Sequence, residues 1–183
     1  YEICACLVGS EMCIRDRDQE LHPVAILLTH GHFDHVMAVD SVRAAYHIPV
    51  YAAEAEKETM HDASINLSIN MGGAMLSIEA DHWLKDGETI TLLDQEVRCI
   101  LTPGHTVGGM CFYFPKAGML FSGDTLFQES VGRTDFPGGS MSEIVRSIRE
   151  KLFVLPDAVQ VYPGHGLMTS IKNEKMFNPF AVE

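Results

Sequence analysis

From about Asp18 onward the chain is built of short apolar runs broken by glycine-rich polar turns. Val24 to Leu28 (VAILL) is a β-branched run of strand length, which predicts a buried strand ending at the polar segment THGHFDH. Apolar positions recur at helical spacing from Val36 to His47, and Pro49 stops that helix. IPVYAA reads as a second strand, followed by a short helix from Glu54. Residues 61–82 show weak periodicity and read as loop with helical turns. TITLL and EVRCILT flank Asp94-Gln95 and predict a hairpin. MCFYF and GMLFSGD read as two further strands joined through Pro115 to Gly118. Ser140 and Glu143 form a capping-box pair at the head of a helix reaching about Leu152, and VQVYPGHG is a last strand with its loop. Helices and strands alternate while some strands form hairpins, which predicts an α/β protein with mixed sheets.

Composition narrows the setting. The 183 residues, 46% of them hydrophobic, suffice for one domain with a sizeable core. No apolar run approaches the roughly 20 residues of a membrane helix. Asp and Glu number 25 against 13 Lys and Arg, a net charge of −12, which argues against a nucleic-acid partner. Of five cysteines, Cys4, Cys6 and Cys13 lie in the first thirteen residues, while Cys99 and Cys111 sit in apolar strand-like runs. Without a C-x-x-C pair this pattern favours a reducing, cytoplasmic setting. The stretch CLVGSEMCIRDR (Cys6 to Arg17) resembles translated sequencing-adapter sequence. Residues 1–17 are therefore expected to be a non-native leader, and 18–183 the functional domain.

Nine histidines change the picture further. His30-Gly31-His32-Phe33-Asp34-His35 falls between a predicted strand and a predicted helix. In an extended segment, residues two apart point the same way, so His30 and His32 can share one metal. Asp34 and His35 lie where the chain turns into the helix and can face a second. Imidazole and carboxylate suit zinc, and also iron or manganese. Three later strands each stop at a turn with one possible ligand: His105 in CILTPGHT, Asp124 in MLFSGDT and His165 in VQVYPGHG. Groups at the ends of several strands converge on one rim of a sheet, where α/β proteins place their sites. His22, before a proline at a strand entry, and His47, His61 and His82, in predicted helix ends or loops without companion ligands, read as surface or structural residues.

The motifs THGHFDH, PGHT, SGDTLF and YPGHG resemble those of the metallo-β-lactamase fold superfamily. Within it, VGRTDFPGGS (Val131 to Ser140) and Asn178-Pro179-Phe180 look most like the small glyoxalase II-like, hydroxyacylglutathione hydrolase-like enzymes. The resemblance implies an αββα sandwich with its site on the edge. Because residues 1–17 stand where family members carry opening strands, it also implies a first sheet lacking those strands, an N-terminally truncated domain. His30, His32 and His105 would hold one divalent metal, and Asp34, His35 and His165 a second. Asp124 would bridge the two. Zinc is the expected metal, with iron or manganese as substitutes.

The implied activity is hydrolysis of a small-molecule acyl thioester, such as a hydroxyacylglutathione, by a hydroxide bridging the metals. Asp34 and Asp124 would orient that nucleophile. A thiolate leaving group, with a thiol pKa of about 8.5, needs little acid help. Arg133 and Asp135, in the GRTDF stretch, are candidates for the substrate side of the site and equally for a salt-bridged loop. The rival reading is a persulfide dioxygenase with one iron on His30, His32 and His105, since that family also resembles GRTDF. A further alternative is an inactive fragment. No nucleic-acid or membrane partner is expected.

Overall fold

The computed structural model describes residues 22–71 and 75–181. The strands are β1 (Ile26–Leu27), β2 (Val50–Ala53), β3 (His82–Leu84), β4 (Thr89–Leu92), β5 (Gln95–Leu101), β6 (Met110–Phe114), β7 (Met119–Gly123), β8 (Leu126–Phe127), β9 (Ser130–Val131), β10 (Gln160–Pro163) and β11 (Thr169–Ser170). The helices are α1 (Phe33–Val36), α2 (Val39–Tyr46), α3 (Lys57–His61), α4 (Ser68–Met71), α5 (Met141–Ser147) and α6 (Ile171–Phe177).

The layering can be read from β6, which is buried along its whole length. Successive strand residues face opposite sides, so a strand buried throughout must be covered twice. Cys111 and Tyr113 pack with Ile144, Ile148, Leu152 and Ile171, from α5, the π-helical turn Ile148–Leu152 after it, and α6. Met110, Phe112 and Phe114 pack the other way, against Ala53 and Leu84 of a second sheet. That second sheet is β1-β2-β3, parallel throughout, and its far face carries Val50 and Ala52 against Val36, Val39 and Met60 of α1 to α3. The main sheet runs β11-β10-β7-β6-β5-β4, antiparallel except for the β7–β10 pair. The order of layers is therefore helix, sheet, sheet, helix: the αββα sandwich. Among the described residues β1 is an edge strand, and no helix is long and apolar enough to cross a membrane. The expectation for residues 1–17, with Cys4, Cys6 and Cys13, lies outside the described residues.

Several sequence expectations need correction. The predicted helix from Val36 to His47 is two helices, broken at Met37-Ala38, with Val36 and Val39 buried in one layer on either side of the break. His47 caps the second piece in left-handed geometry (φ 53°), just ahead of Pro49. The hairpin turns at Leu93-Asp94, one residue earlier than expected, and both residues have positive φ, as a two-residue primed turn requires. His82 opens β3 and stacks on Tyr51 rather than lying in a helix end or loop. β10 is not the last element, since β11 and α6 follow, with Ser170 capping α6 through the Asn173 N–H. The Ser140 hydroxyl accepts the Glu143 N–H, but the Glu143 carboxylate turns to Arg146 instead of back to Ser140, so half of the capping box forms.

Phe112 lies between the two sheets at 1% exposure and occupies a central strand. Phe112→Ala should lower the unfolding free energy by about 3–5 kcal/mol in urea titrations, the usual cost of emptying a fully packed phenylalanine site.

Candidate metal centre

Four strand ends deliver polar groups to one rim. β1 feeds the segment from Thr29 to His35, β5 leads to His105, β7 to Asp124 and β10 to His165. The exit from β1 is pinned to both sheets. Leu28 N–H donates to the Tyr51 carbonyl of β2 (2.9 Å), and Met110 N–H of β6 donates to the Thr29 carbonyl (2.8 Å). Asp34 sits in the first turn of α1, where a carboxylate also meets the positive end of the helix.

All seven residues singled out from the sequence meet at this rim. His30, His32 and His105 are buried and offer ring nitrogens within 4.8 Å of one another. Asp34, His35 and His165 form a second group within the same span, at a more open position. Asp124 lies between them. Its Oδ2 is 3.7 Å from His105 Nε2 and 3.7 Å from His165 Nε2, while its Oδ1 is 3.4 Å from His35 Nε2. His165 Nε2 is 3.2 Å from Asp34 Oδ2. The approach of β10 to β7 depends on Gly164, where a Cβ would fall 2.3 Å from Asp124 Oδ1 and 2.8 Å from His35 Cε1.

Protonation follows from burial. Desolvation, followed by the charges of His35, His105, His32 and His165, holds the His30 pKa well below its ordinary value. His32 is pushed down to about 4, by burial first and His105 next, against the pull of Asp34 and Asp124. Burial also lowers His105, although its hydrogen bond to Arg133 opposes this. Burial alone would raise Asp124, but the surrounding imidazoles of His35, His105 and His165 outweigh it and hold the carboxyl below its usual range. At neutral pH the three buried imidazoles are therefore uncharged and Asp124 is ionised, the state in which each has a lone pair to give.

The donor set fits divalent cations. His30 Nε2 and Asp124 Oδ1 are buried with no hydrogen-bond partner, a costly condition unless something else takes up their capacity. His105 Nδ1 lies 2.7 Å from the Arg133 carbonyl. A carbonyl only accepts, so Nδ1 carries the proton and Nε2 keeps its lone pair, the usual backing for a metal-bound histidine. His105 Nε2 in turn faces His32 Nδ1 at 2.9 Å.

Other residues are placed differently. Arg133 and Asp135 form a two-pronged surface ion pair at 2.7 and 2.9 Å, with side chains 66% and 64% exposed. The Arg133 guanidinium also covers the Phe136 ring at 4.3 Å, and that ring stands edge-on to His32 at 5.4 Å. The pair thus rims the three-histidine group, and what meets His105 from this loop is the Arg133 backbone. His61 pairs with Glu79 (2.7 Å), outside the cluster. Cys99 and Cys111 are buried thiols whose pKa values burial raises to about 12 and about 11. Sequence reasoning missed Glu56, a buried carboxylate tied to both histidine-bearing loops (Gly31 N–H to Oε1, 3.0 Å; Gly108 N–H to Oε2, 2.7 Å). The two loops meet it through backbone amides, which leave no side-chain motif to find.

Comparison with known proteins agrees with this geometry. The Metallo-beta-lactamase superfamily profile matches residues 9–165. The Probable metallo-hydrolase YqgX of Bacillus subtilis is 40% identical over 165 residues, which cover 90% of this chain and 78% of that protein. The Hydroxyacylglutathione hydrolase GloC of Haemophilus influenzae is 33% identical over 170 residues, 91% of this chain and 79% of that one. The crystal structure of BLEG-1, a B3 metallo-beta-lactamase, superposes with a TM-score of 0.89 at 39% identity, covering 94% of this chain and 84% of its own. TTHA1623 in a di-iron-bound form gives 0.81 at 34% identity, with 93% and 83% covered. The layered fold, the rim of histidines and carboxylates and these matches together show that the chain belongs to the metallo-beta-lactamase superfamily of metallo-hydrolases.

Proposed function

We propose that the chain is a dinuclear-metal hydrolase of small acyl thioesters, of the hydroxyacylglutathione type. The observation that carries this reading is the division of seven donors into two groups with Asp124 between them. His30, His32 and His105 would hold one ion, Asp34, His35 and His165 the other, and Asp124 would touch both. Zinc suits this nitrogen-rich set, as do iron and manganese. Bound divalent ions supply Lewis acidity, bringing the pKa of a coordinated water toward ~7 and polarising a carbonyl oxygen.

The chain's own groups do the rest. Asp34 and Asp124 add negative charge that offsets part of the +4 of two ions and accept a proton-bearing nucleophile in hydrogen bonds. The Arg133 carbonyl and the Thr29 hydroxyl, 3.3 Å from His30 Nδ1, hold the imidazoles in orientation. Hydrolysis replaces the C–S bond by a C–O bond and releases a thiolate. With a thiol pKa of about 8.5, that leaving group departs without a positioned acid, whereas an amine would need a proton. GloC, named as a hydroxyacylglutathione hydrolase, supports the same substrate class. Arg133, at the rim, is assigned to the substrate side, with Asp135 holding its guanidinium in place. The mononuclear iron reading uses three histidines and leaves the Asp34–His165 contact without a role. A small-molecule substrate in the cytoplasm, with no nucleic-acid or membrane partner, completes the proposal.

Zinc-loaded protein should hydrolyse S-lactoylglutathione, lose that activity to a chelator and regain it on adding zinc, with two ions per chain by elemental analysis. Asp124→Ala should lower kcat/KM more than about 100-fold, since losing a mere outer partner of a ligand costs 10–100-fold. Absence of metal-dependent turnover on every acyl thioester tried would sink the proposal. A chromogenic β-lactam and oxygen uptake on glutathione persulfide are the comparison assays. One iron per chain with oxygen uptake would favour the dioxygenase.

The metal-free protein should also be acid-sensitive. Unfolded, His32 takes up a proton below pH about 6.5; folded, it does so at about 4. Stability present above pH 6.5 is thus lost as pH falls through that window, on the order of 3 kcal/mol from His32 alone, with His30 and His105 acting in the same direction. Urea unfolding of metal-free protein at pH 7.5, 6 and 5 checks this, and a flat profile would contradict it.

A further inference from the structure

We infer that Glu56 is a positioning residue for the three-histidine group, acting as a clamp between the two loops that carry it. Resting on the metal-centre reading above, this adds a residue to which no motif points. Glu56 is 1% exposed and ends a 3-10 turn, Glu54–Glu56, directly after β2. Its Oε1 accepts the Gly31 N–H at 3.0 Å, and Gly31 is the residue between His30 and His32. Its Oε2 accepts the Gly108 N–H at 2.7 Å and the Thr106 hydroxyl at 3.0 Å, and Thr106 follows His105. One carboxylate thereby spans the His30–His32 loop and the His105 loop, which are 73 residues apart between His32 and His105.

Two further observations give this contact a purpose beyond filling space. Both glycines let the backbone come within reach. A Cβ on Gly108 would fall 2.3 Å from the Glu56 backbone nitrogen and 2.5 Å from its Oε2, and one on Gly31 would fall 2.8 Å from Met60 Cγ and 3.2 Å from the Met60 nitrogen. Second, the carboxylate accepts hydrogen bonds from two backbone amides, from the Thr106 hydroxyl and from the Thr59 hydroxyl, so its two oxygens gather several donors at one point. A buried carboxylate costs more to bury than an apolar residue of like size, and here it fixes the direction of those donors. A glutamine has a single acceptor oxygen, so one loop would be left facing an NH2 group, donor against donor. Losing such a partner typically weakens metal binding 10–100-fold.

The test is cobalt(II) titration of metal-free protein, followed by visible absorption, for wild type, Glu56→Gln, Thr106→Val and Glu174→Gln. Glu174 is the control, an equally buried carboxylate at 0% exposure whose partners are Thr169, Asn173, Asn178 and the Glu129 N–H. Glu56→Gln should weaken the tighter cobalt step at least tenfold and alter its absorption bands. Thr106→Val should weaken it a few-fold, and Glu174→Gln should lower the melting temperature with less than a twofold change in affinity. Wild-type affinity and spectrum in a folded Glu56→Gln would overturn the inference while leaving the metal centre standing. So would an equal loss in Glu174→Gln. If Glu56→Gln is insoluble, unchanged affinity in Thr106→Val overturns it. A wild-type protein that binds no cobalt overturns the metal centre itself, and the inference with it.

Discussion

Ring nitrogens and carboxylate oxygens crowded at one rim are the constraint around which the rest of this molecule is arranged. Ring nitrogens of His32 and His105 stand 2.9 Å apart, those of His35 and His165 3.4 Å apart, and carboxylate oxygens sit among them. Left to relax, such groups would rotate apart into water. They stay because five of the seven are delivered by backbone at or just beyond a strand end, with the chain pinned before and after. Burial removes the solvent that would otherwise compete, and in doing so keeps the inner imidazoles uncharged.

The frame that opposes this tendency is an apolar sandwich tied by a few buried polar groups. Its sheets pack through Phe112, Phe114 and their neighbours, contacts without direction that set the spacing of layers but not the aim of a side chain. Aim comes from hydrogen bonds. Glu174, buried like Glu56, takes up the Glu129 N–H and the Asn178 amide and so fixes α6 against the β8–β9 turn. Carboxylates buried without a cation partner in these contacts thus work as acceptors for loop amides, where precision rather than net stability is at stake.

How much of this was legible depends on how each feature is encoded. The long strands β5, β6 and β7 and the capped helix α5 have apolar periodicity over five or more residues, and sequence reading placed them closely. β3 and β11 are three and two residues long, too short for any period to show. The break at Met37-Ala38 interrupts no apolar spacing, so it was invisible. At the rim, the seven clustered side chains were legible because histidine and aspartate in turns are distinctive. What holds them was not. The GRTDF loop was read for its Arg133 side chain, whereas the Arg133 carbonyl is the atom that touches the cluster. Any residue supplies a carbonyl, so no residue type announces it.

The single hydrogen bond from Met110 N–H to the Thr29 carbonyl has a consequence for motion. Two face-packed sheets ordinarily accommodate strain by small sliding displacements, because apolar contacts permit many offsets at similar energy. Here the layers are stitched at the rim, one residue from His30. Any displacement of one sheet along the other would have to stretch or break that bond beside the histidines.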